Sequence, residues 1–366
     1  MRTDARGQLG RHHGRAGRAR NRSTSSVPAK PMAACRVLWL VFSVLLGACV
    51  MPRVQEPVVR PQEPRLEADR VVLADGAVLP LARWLPATEM PRAAIVALHG
   101  LNDHHASWAE AGAQLSVSGF AFYAYDQRGF GATEQRGVWA GGDVLSSDAR
   151  QVAALVRARH PDIPLYVLGE SMGAAVVLHA LAEQPRGWLD GAVLLAPAVW
   201  NRRDMPWYQR FALRVVAHTF RGMKVPTPRG RGASDNADAL RRRADDPLVI
   251  HRVRVDLLSG VADLMDEVTD APHDFSVPSL ILYGAHDLIV PARPVCHWVA
   301  SLDPGSPWQL AVYPNGWHLL LRDLGAAVPM SDIATWLAHA DGDLPSGFGV
   351  AKPRDEASCL ALLGIE

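Results

Sequence analysis

The sequence predicts an α/β fold: a mostly parallel central sheet with helices on both faces and a helical insertion near one sheet edge. Three observations carry this expectation. Apolar runs of strand length occur at 93–98, 120–125, 165–168, 192–195, 280–283 and 309–312. They are continuous rather than alternating, as strands buried on both faces must be. Helical patterning lies between them, near 107–116, 144–159, 172–183, 294–300 and 331–339, and strand–helix alternation is the mark of a parallel sheet wrapped by helices. Finally, 366 residues with 49% hydrophobic and 20% charged content suffice for a sizeable core. There are no internal repeats.

Taken in order, the chain begins with a basic extension at 1–31. Its first thirty residues hold seven Arg, one Lys and one Asp, lack periodicity, and are expected to be disordered. An Arg- and Ser-rich start can be read as an organellar transit peptide. The plainer expectation is that translation starts at Met32. Residues 32–48 then read as a secretory signal, with Arg36 as a short basic region and 37–46 as an apolar run. That run is shorter than the roughly 20 residues of a membrane span. It ends in Leu46–Gly47–Ala48–Cys49, which resembles the lipobox of bacterial lipoproteins. The resemblance implies cleavage before Cys49, a diacylglycerol on its thiol, and, with Val50 rather than Asp following, sorting to the outer membrane of a bacterial envelope.

Pro52, Pro57, Pro61 and Pro64 make 49–69 a stiff, extended tether without helix or strand pattern. The core is expected at 70–199 and 275–340. Between them, 200–274 has no clear strand but helical patterning near 206–218, 237–243 and 253–269. An insertion at the C-terminal edge of a parallel sheet is placed to be a lid; it can equally be a structural cover. Its apolar residues, among them Met205, Trp207, Tyr208 and Phe211, either pack it onto the core or line an acyl-chain path. The tail 341–366 either docks by Leu360, Leu362 and Leu363 or is loosely ordered.

Residues 50–366 carry a net charge of −7 once the basic N-terminus is set aside. That disfavours a nucleic-acid binder, which needs clustered positive charge. Of four cysteines, Cys296 and Cys359 would remain as free thiols in the mature chain, with no disulfide framework and no metal spacing.

The chemistry centres on VLGESMGAAV. Ser171 lies between two glycines where an apolar strand meets a helix, which suits a nucleophile on a sharp turn and suits an ordinary joint equally well. A catalytic serine needs a base and oxyanion donors. On a sheet of this kind the carboxylate and histidine should follow in that order, each beyond a strand. Asp287 follows the strand at 280–283 and His318 follows that at 309–312, which meets the expectation. The carboxylate would fix the imidazole tautomer. His286 shares the Asp287 turn and is the weaker base candidate. Backbone N–H groups of Leu101, beyond the strand at 93–98, and Met172, at a helix N-terminus, are the expected oxyanion donors, with Gly100 permitting close approach. His99, His104 and His105 suggest a metal, but no carboxylate or cysteine completes a zinc spacing nearby. No metal or organic cofactor is expected.

The stretches LHGLNDHHASW, YAYDQRGFGATEQRG, the segment from DVLSSDARQ to GESMGAAVVLHALA, PSLILYGAHDLIVP and YPNGWHLLLRD together resemble the α/β-hydrolase superfamily. Within it they resemble the monoacylglycerol lipase and lysophospholipase-like branch of serine aminopeptidase S33 type, over roughly 70–340. The resemblance implies an acyl-enzyme on Ser171, His318 as base then acid, and Asp287 orienting it, with oxyanion donors at Leu101 and Met172. It places His99, Gly100, Asp126, Arg128 and Glu170 behind the reacting groups. It implies hydrolysis of carboxylic esters, of monoacylglycerol or lysophospholipid type. A thioesterase or peptidase on the same fold, or a non-catalytic envelope-binding module, remains as an alternative. Two positions depart from the pattern: Glu170, where animal members carry His, and Ala174, where Gly is common.

Overall fold

A computed structural model describes residues 55, 61–184, 186–211, 215, 220–227, 232–271, 275–340 and 342–365. Cys49, the apolar run at 37–46, the basic extension and most of the tether lie outside the described residues. Gly47–Glu366 cluster as one compact unit.

The strands are β1 Arg65–Leu66, β2 Arg70–Val72, β3 Val78–Trp84, β4 Ala94–Leu98, β5 Ala121–Tyr125, β6 Leu165–Glu170, β7 Gly191–Leu195, β8 Lys224–Pro226, β9 Arg252–Arg254, β10 Ser279–Gly284, β11 Trp308–Tyr313 and β12 Gly349–Val350. The helices are α1 Ala109–Val117, α2 Gly142–Arg159, α3 Met172–Glu183, α4 Ala237–Asp245, α5 Val255–Asp270, α6 Ala292–Ser301, α7 Ala327–Ala338 and α8 Glu356–Leu362. Residues 207–211 are also helical.

Ten strands form one sheet in the order β1-β2-β3-β5-β4-β6-β7-β10-β11-β12. From β5 to β11 every neighbouring pair is parallel. Strands β4, β5, β6, β7 and β10 are buried at every residue, so the unbroken apolar runs are those of strands covered on both faces. Two apolar layers result. One packs α2, α3, α5 and α6 on the first face, with Val152, Val177, Leu257 and Trp298 among its members. The other packs α1 and α7 on the second, around Leu115, Phe122, Ile333 and Trp336.

The N-terminal strands depart from expectation. Arg65–Leu66, within the tether as read from its prolines, pairs antiparallel with Val71–Val72 and opens the sheet. A two-residue edge strand leaves no periodicity to read. Likewise β8 and β9 pair antiparallel inside the insertion, at Lys224↔Arg254 and Val225↔Val253, where no strand was expected.

The tail is anchored twice. Strand β12 pairs antiparallel with the outer edge of β11, which covers an otherwise open edge. Helix α8 lies on α6, where Leu360 is buried and Cys359 forms a disulfide with Cys296 at a Cα–Cα distance of 5.4 Å. The expectation of two free thiols is therefore corrected. A separation of 63 residues says nothing about distance once α8 folds back onto α6.

Candidate active site

Strand β6 ends at Glu170 and α3 begins at Met172, so the turn between them is the single residue Ser171. Its backbone sits at φ 54°, ψ −115°, a region costing a non-glycine residue about 1–3 kcal/mol. Two bonds, to β7 and to the loop after it, hold it there: Ser171 N–H donates to Leu195 O at 2.9 Å, and Ala198 N–H donates to Ser171 O at 3.1 Å. The flanking glycines are sterically required. A Cβ on Gly173 would lie 2.3 Å from Leu98 O, and one on Gly169 would lie 2.6 Å from the Ala174 Cα.

The loops after β10 and β11 close on each other. A Cβ on Gly284 would lie 2.5 Å from Gly316 C, so glycine lets them abut. His286 N–H donates to Gly316 O at 2.9 Å. Across this junction Asp287 Oδ2 accepts from His318 Nδ1 at 2.7 Å. Asp287 Oδ1 accepts the Ile289 and Val290 amides at 2.7 and 3.0 Å, so both carboxylate oxygens are occupied and oriented. The two side chains are 0% and 6% exposed, which keeps the pair out of competition with water. With Nδ1 donating to Asp287, Nε2 is the ring's proton-accepting atom. His286, by contrast, is exposed and sets its ring edge-on against Trp317.

On the opposite side the loop after β4 lies against the serine: a Cβ on Gly100 would be 3.4 Å from the Ser171 Cβ. Among the described residues, neither the Leu101 nor the Met172 amide donates to a backbone carbonyl. Met172 is also the first residue of α3, where the helix dipole favours negative charge. His99 holds this loop from behind. Its Nε2 accepts the Gln127 amide at 3.1 Å and its Nδ1 donates to Gly100 O at 2.8 Å. Gln127 Nε2 returns a bond to His99 O at 2.7 Å. Complete burial pushes the His99 pKa down, so the ring stays neutral and its tautomer follows from these bonds.

The remaining residues named from sequence take structural places. Asp126 Oδ1 accepts both the His105 amide and its Nδ1 at 2.7 Å, and Oδ2 accepts the Ala132 amide at 2.8 Å. Burial opposes ionisation of Asp126, but the His105 bond and the nearby rings outweigh it and lower its pKa. A carboxylate does therefore join the histidines, contrary to the sequence reading: His104, His105 and Asp126 bring possible ligand atoms within 4.8 Å of one another. Both Asp126 oxygens are already engaged, Oδ1 by His105 and Oδ2 by the Ala132 amide. Arg128 pairs with Asp148 on α2 at 2.7 and 2.9 Å and with Asp75 at 2.6 Å. It ties the loop after β5 to α2 and to the β2–β3 turn.

Sequence reasoning missed the partner of Glu170. Arg322, four residues beyond His318, donates to Glu170 Oε1 and, at 2.8 Å, to Asp103 Oδ2. Arg243 of α4 reaches the same Asp103 oxygen at 3.3 Å. One guanidinium thus joins the residue before the serine, the loop of the histidine and the loop of Leu101. Burial works against ionisation of Asp103, but Arg322 and Arg243 hold its carboxyl well below the usual carboxylate range. The insertion is bonded to the histidine loop as well: Leu319 N–H donates to Ala233 O at 2.8 Å, Ser234 Oγ to Asp323 Oδ1 at 2.6 Å, and Asn236 Nδ2 to Arg322 O at 2.9 Å. An acid two residues beyond Leu101, another beside the serine and an arginine beyond the histidine are the only signals the sequence carries of this.

This sheet, with a serine elbow after β6 and an Asp–His pair beyond β10 and β11, is an α/β-hydrolase fold. The chain belongs to the serine aminopeptidase, S33 family, whose profile matches residues 89–325. Among similar proteins, the monoglyceride lipase of Rattus norvegicus is 26% identical over 300 residues, covering 79% of this chain and 96% of the relative. The monoacylglycerol lipase of Mycolicibacterium smegmatis is 24% identical, covering 69% and 90%. A soluble variant of the Saccharomyces cerevisiae monoglyceride lipase, solved with a substrate analogue, shares the fold at a TM-score of 0.65 with 17% identity, over 80% of this chain and 98% of that one.

Proposed function

We propose that the protein is a serine carboxylic ester hydrolase that cleaves monoacylglycerol-type lipids. The buried hydrogen bond between His318 and Asp287, at 2.7 Å beyond two adjacent strands, is the observation that carries this reading. In it, His318 Nε2 takes the Ser171 hydroxyl proton as Oγ bonds to the ester carbonyl carbon. The oxyanion accepts from the Leu101 and Met172 amides. Collapse breaks the bond to the alkoxy group, which receives the proton from His318 and leaves as the alcohol. Water, deprotonated by the same nitrogen, then attacks the acyl-serine and releases the fatty acid. Asp287 holds the ring in place and stabilises the imidazolium.

Exposed Trp207, Tyr208 and Phe211 support reading the insertion as a lid that meets acyl chains, since clustered exposed aromatics mark apolar ligands or surfaces. The same reading includes a lipid anchor at Cys49, with the protein held at the outer membrane of a bacterial envelope. The disulfide between Cys296 and Cys359 supports an oxidising compartment of this kind.

A panel of p-nitrophenyl esters, monoacylglycerols, lysophospholipids and amino-acid arylamides, assayed on wild type beside Ser171→Ala, tests the activity. Monoacylglycerol turnover that disappears in Ser171→Ala is expected; arylamide turnover without ester turnover would replace the lipase reading by a peptidase one. Mass spectrometry of the mature N-terminus tests the anchor, with diacylglyceryl-Cys49 as the expected species.

A further inference from the structure

Away from the serine, the β8–β9 pair, the stretch before β9 and the loop before α2 enclose a cavity of about 480 Å³. Its charged lining is Arg136, Lys224, Arg252 and Arg254, with His251 beside them and no acidic side chain. Arg254 is neutralised by Asp256, whose Oδ1 lies 2.9 Å from Nε. The others have no carboxylate partner among the described residues. Arg136 donates to the carbonyls of Pro247 and Val249 at 2.6 and 3.1 Å, and Arg252 donates to Lys224 O at 3.2 Å. Among the described residues, Arg136, Lys224 and Arg252 form no ion pair with a carboxylate. Three uncompensated cations meet here on a body, residues 50–366, whose net charge is −7.

Two further observations bear on the cavity's occupant. Gln55, six residues after Cys49 in sequence, is bonded at its rim: Gln55 N–H donates to Trp139 O at 3.1 Å, and Gln55 Nε2 donates to Val138 O, a lining residue, at 2.8 Å. Covalent geometry limits the six residues from Gln55 back to Cys49 to a reach of about 20 Å. In addition, Phe220 and Met223, 41% and 43% exposed, lie four residues and one residue before Lys224. Apolar side chains beside uncompensated Lys and Arg are the composition of a surface that sits at a lipid–water interface.

We propose that this cavity binds the phosphate of an anionic phospholipid headgroup and seats the domain on an anionic lipid surface. Arg and Lys are the groups that hold phosphate, arginine through paired donors. The site extends the membrane-bound reading above, but its chemistry does not require Cys49 to be lipidated.

The test therefore uses the full chain carrying Cys49→Ser, which removes the anchoring thiol. Partitioning is measured onto vesicles of phosphatidylcholine alone and of phosphatidylcholine mixed with phosphatidylglycerol, for this protein and for a form also carrying Arg136→Gln, Lys224→Gln and Arg252→Gln. Binding by the apolar run at 37–46 and attraction of the basic residues of 1–36 to anionic lipid are common to both forms, so the difference between the forms reports on the cavity. Expected is a preference for phosphatidylglycerol that weakens with salt and falls on the order of 100-fold in the triple variant, at about fivefold per basic residue. Unchanged thermal melting shows that the variant is folded. Equal partitioning to both vesicle types, or the same degree of preference in the two forms, overturns the proposal. So does protection against melting by inorganic phosphate with no vesicle preference, which would make this a site for small anions. Absence of lipid from Cys49 leaves the outcome unaffected.

Discussion

At the scale of single residues, the site depends on groups with one geometric task each. Asp287 fixes the tautomer of His318, and Asp287→Asn keeps the shape while donating where it should accept. Turnover of an ester substrate is expected to fall about 10⁴-fold with the melting temperature little changed; near-normal rates in the purified variant would remove Asp287 from the reaction. Arg322 is a positioning residue. Arg322→Ala strands Glu170 and leaves Asp103 with Arg243 alone; the two carboxylates are 6% and 5% exposed, and breaking a buried pair costs about 3–5 kcal/mol. Arg322→Lys, with one point of contact instead of a fork, is expected to recover part of the stability. Its kcat should remain depressed more than KM changes, because the Leu101 loop loses its tie to the serine; full kinetic recovery would reduce Arg322 to a packing role. Gly173→Ala pushes a methyl group against the Leu98 and His99 carbonyls. Overpacking of this kind costs about 1–3 kcal/mol. The loss should appear in urea denaturation together with a larger loss of kcat, since the displaced backbone is that of the oxyanion loop.

At the scale of elements, most of the sheet was legible. Runs such as those that became β4, β5 and β7 are wholly apolar, and only strands buried on both faces tolerate that. What escaped was β3, seven residues long and carrying Pro80, together with the short pairings β1, β2, β8, β9 and β12, at two or three residues each. The short ones exist because a neighbouring backbone completes their hydrogen bonds, and no side-chain period announces that. The disulfide belongs here too. It joins α6, which follows the Asp287 loop, to the tail helix α8. Cys359→Ser is expected to lower stability by about 2–4 kcal/mol, and dithiothreitol should lower the melting temperature of wild type but not of the variant. Equal sensitivity of the two would place the effect elsewhere.

At the scale of the whole molecule, Arg322, Asp103, Glu170 and Arg243 join segments drawn from four separate parts of the chain, and this couples the site to global stability. Asp103 is held ionised in the fold, whereas in the unfolded chain it takes up a proton near pH 3.9. The folded pKa is therefore depressed, so its contribution is complete above about pH 4 and is lost as pH falls below that. The melting temperatures of wild type and Asp103→Asn should differ at pH 7 and converge toward pH 2–3; a gap that is constant with pH would show that the carboxylate charge is not what stabilises.

The linear chain was enough to read the parallel sheet and to single out Ser171, Asp287 and His318, because strand burial and the order of groups along a sheet edge are both one-dimensional patterns. It was also enough to mark Glu170 as a departure, though not to say what the acid does. Its partner Arg322, the bond from Cys296 to Cys359, the junction of Asp126 with the histidines after β4, and the gathering of Arg136, Lys224 and Arg252 around one cavity were decided by tertiary structure alone. Each joins residues that lie far apart along the chain, and their proximity is produced by how helices and loops pack onto the sheet. Charge and thiol chemistry act over a few ångströms of space, so they become visible only when that space is known.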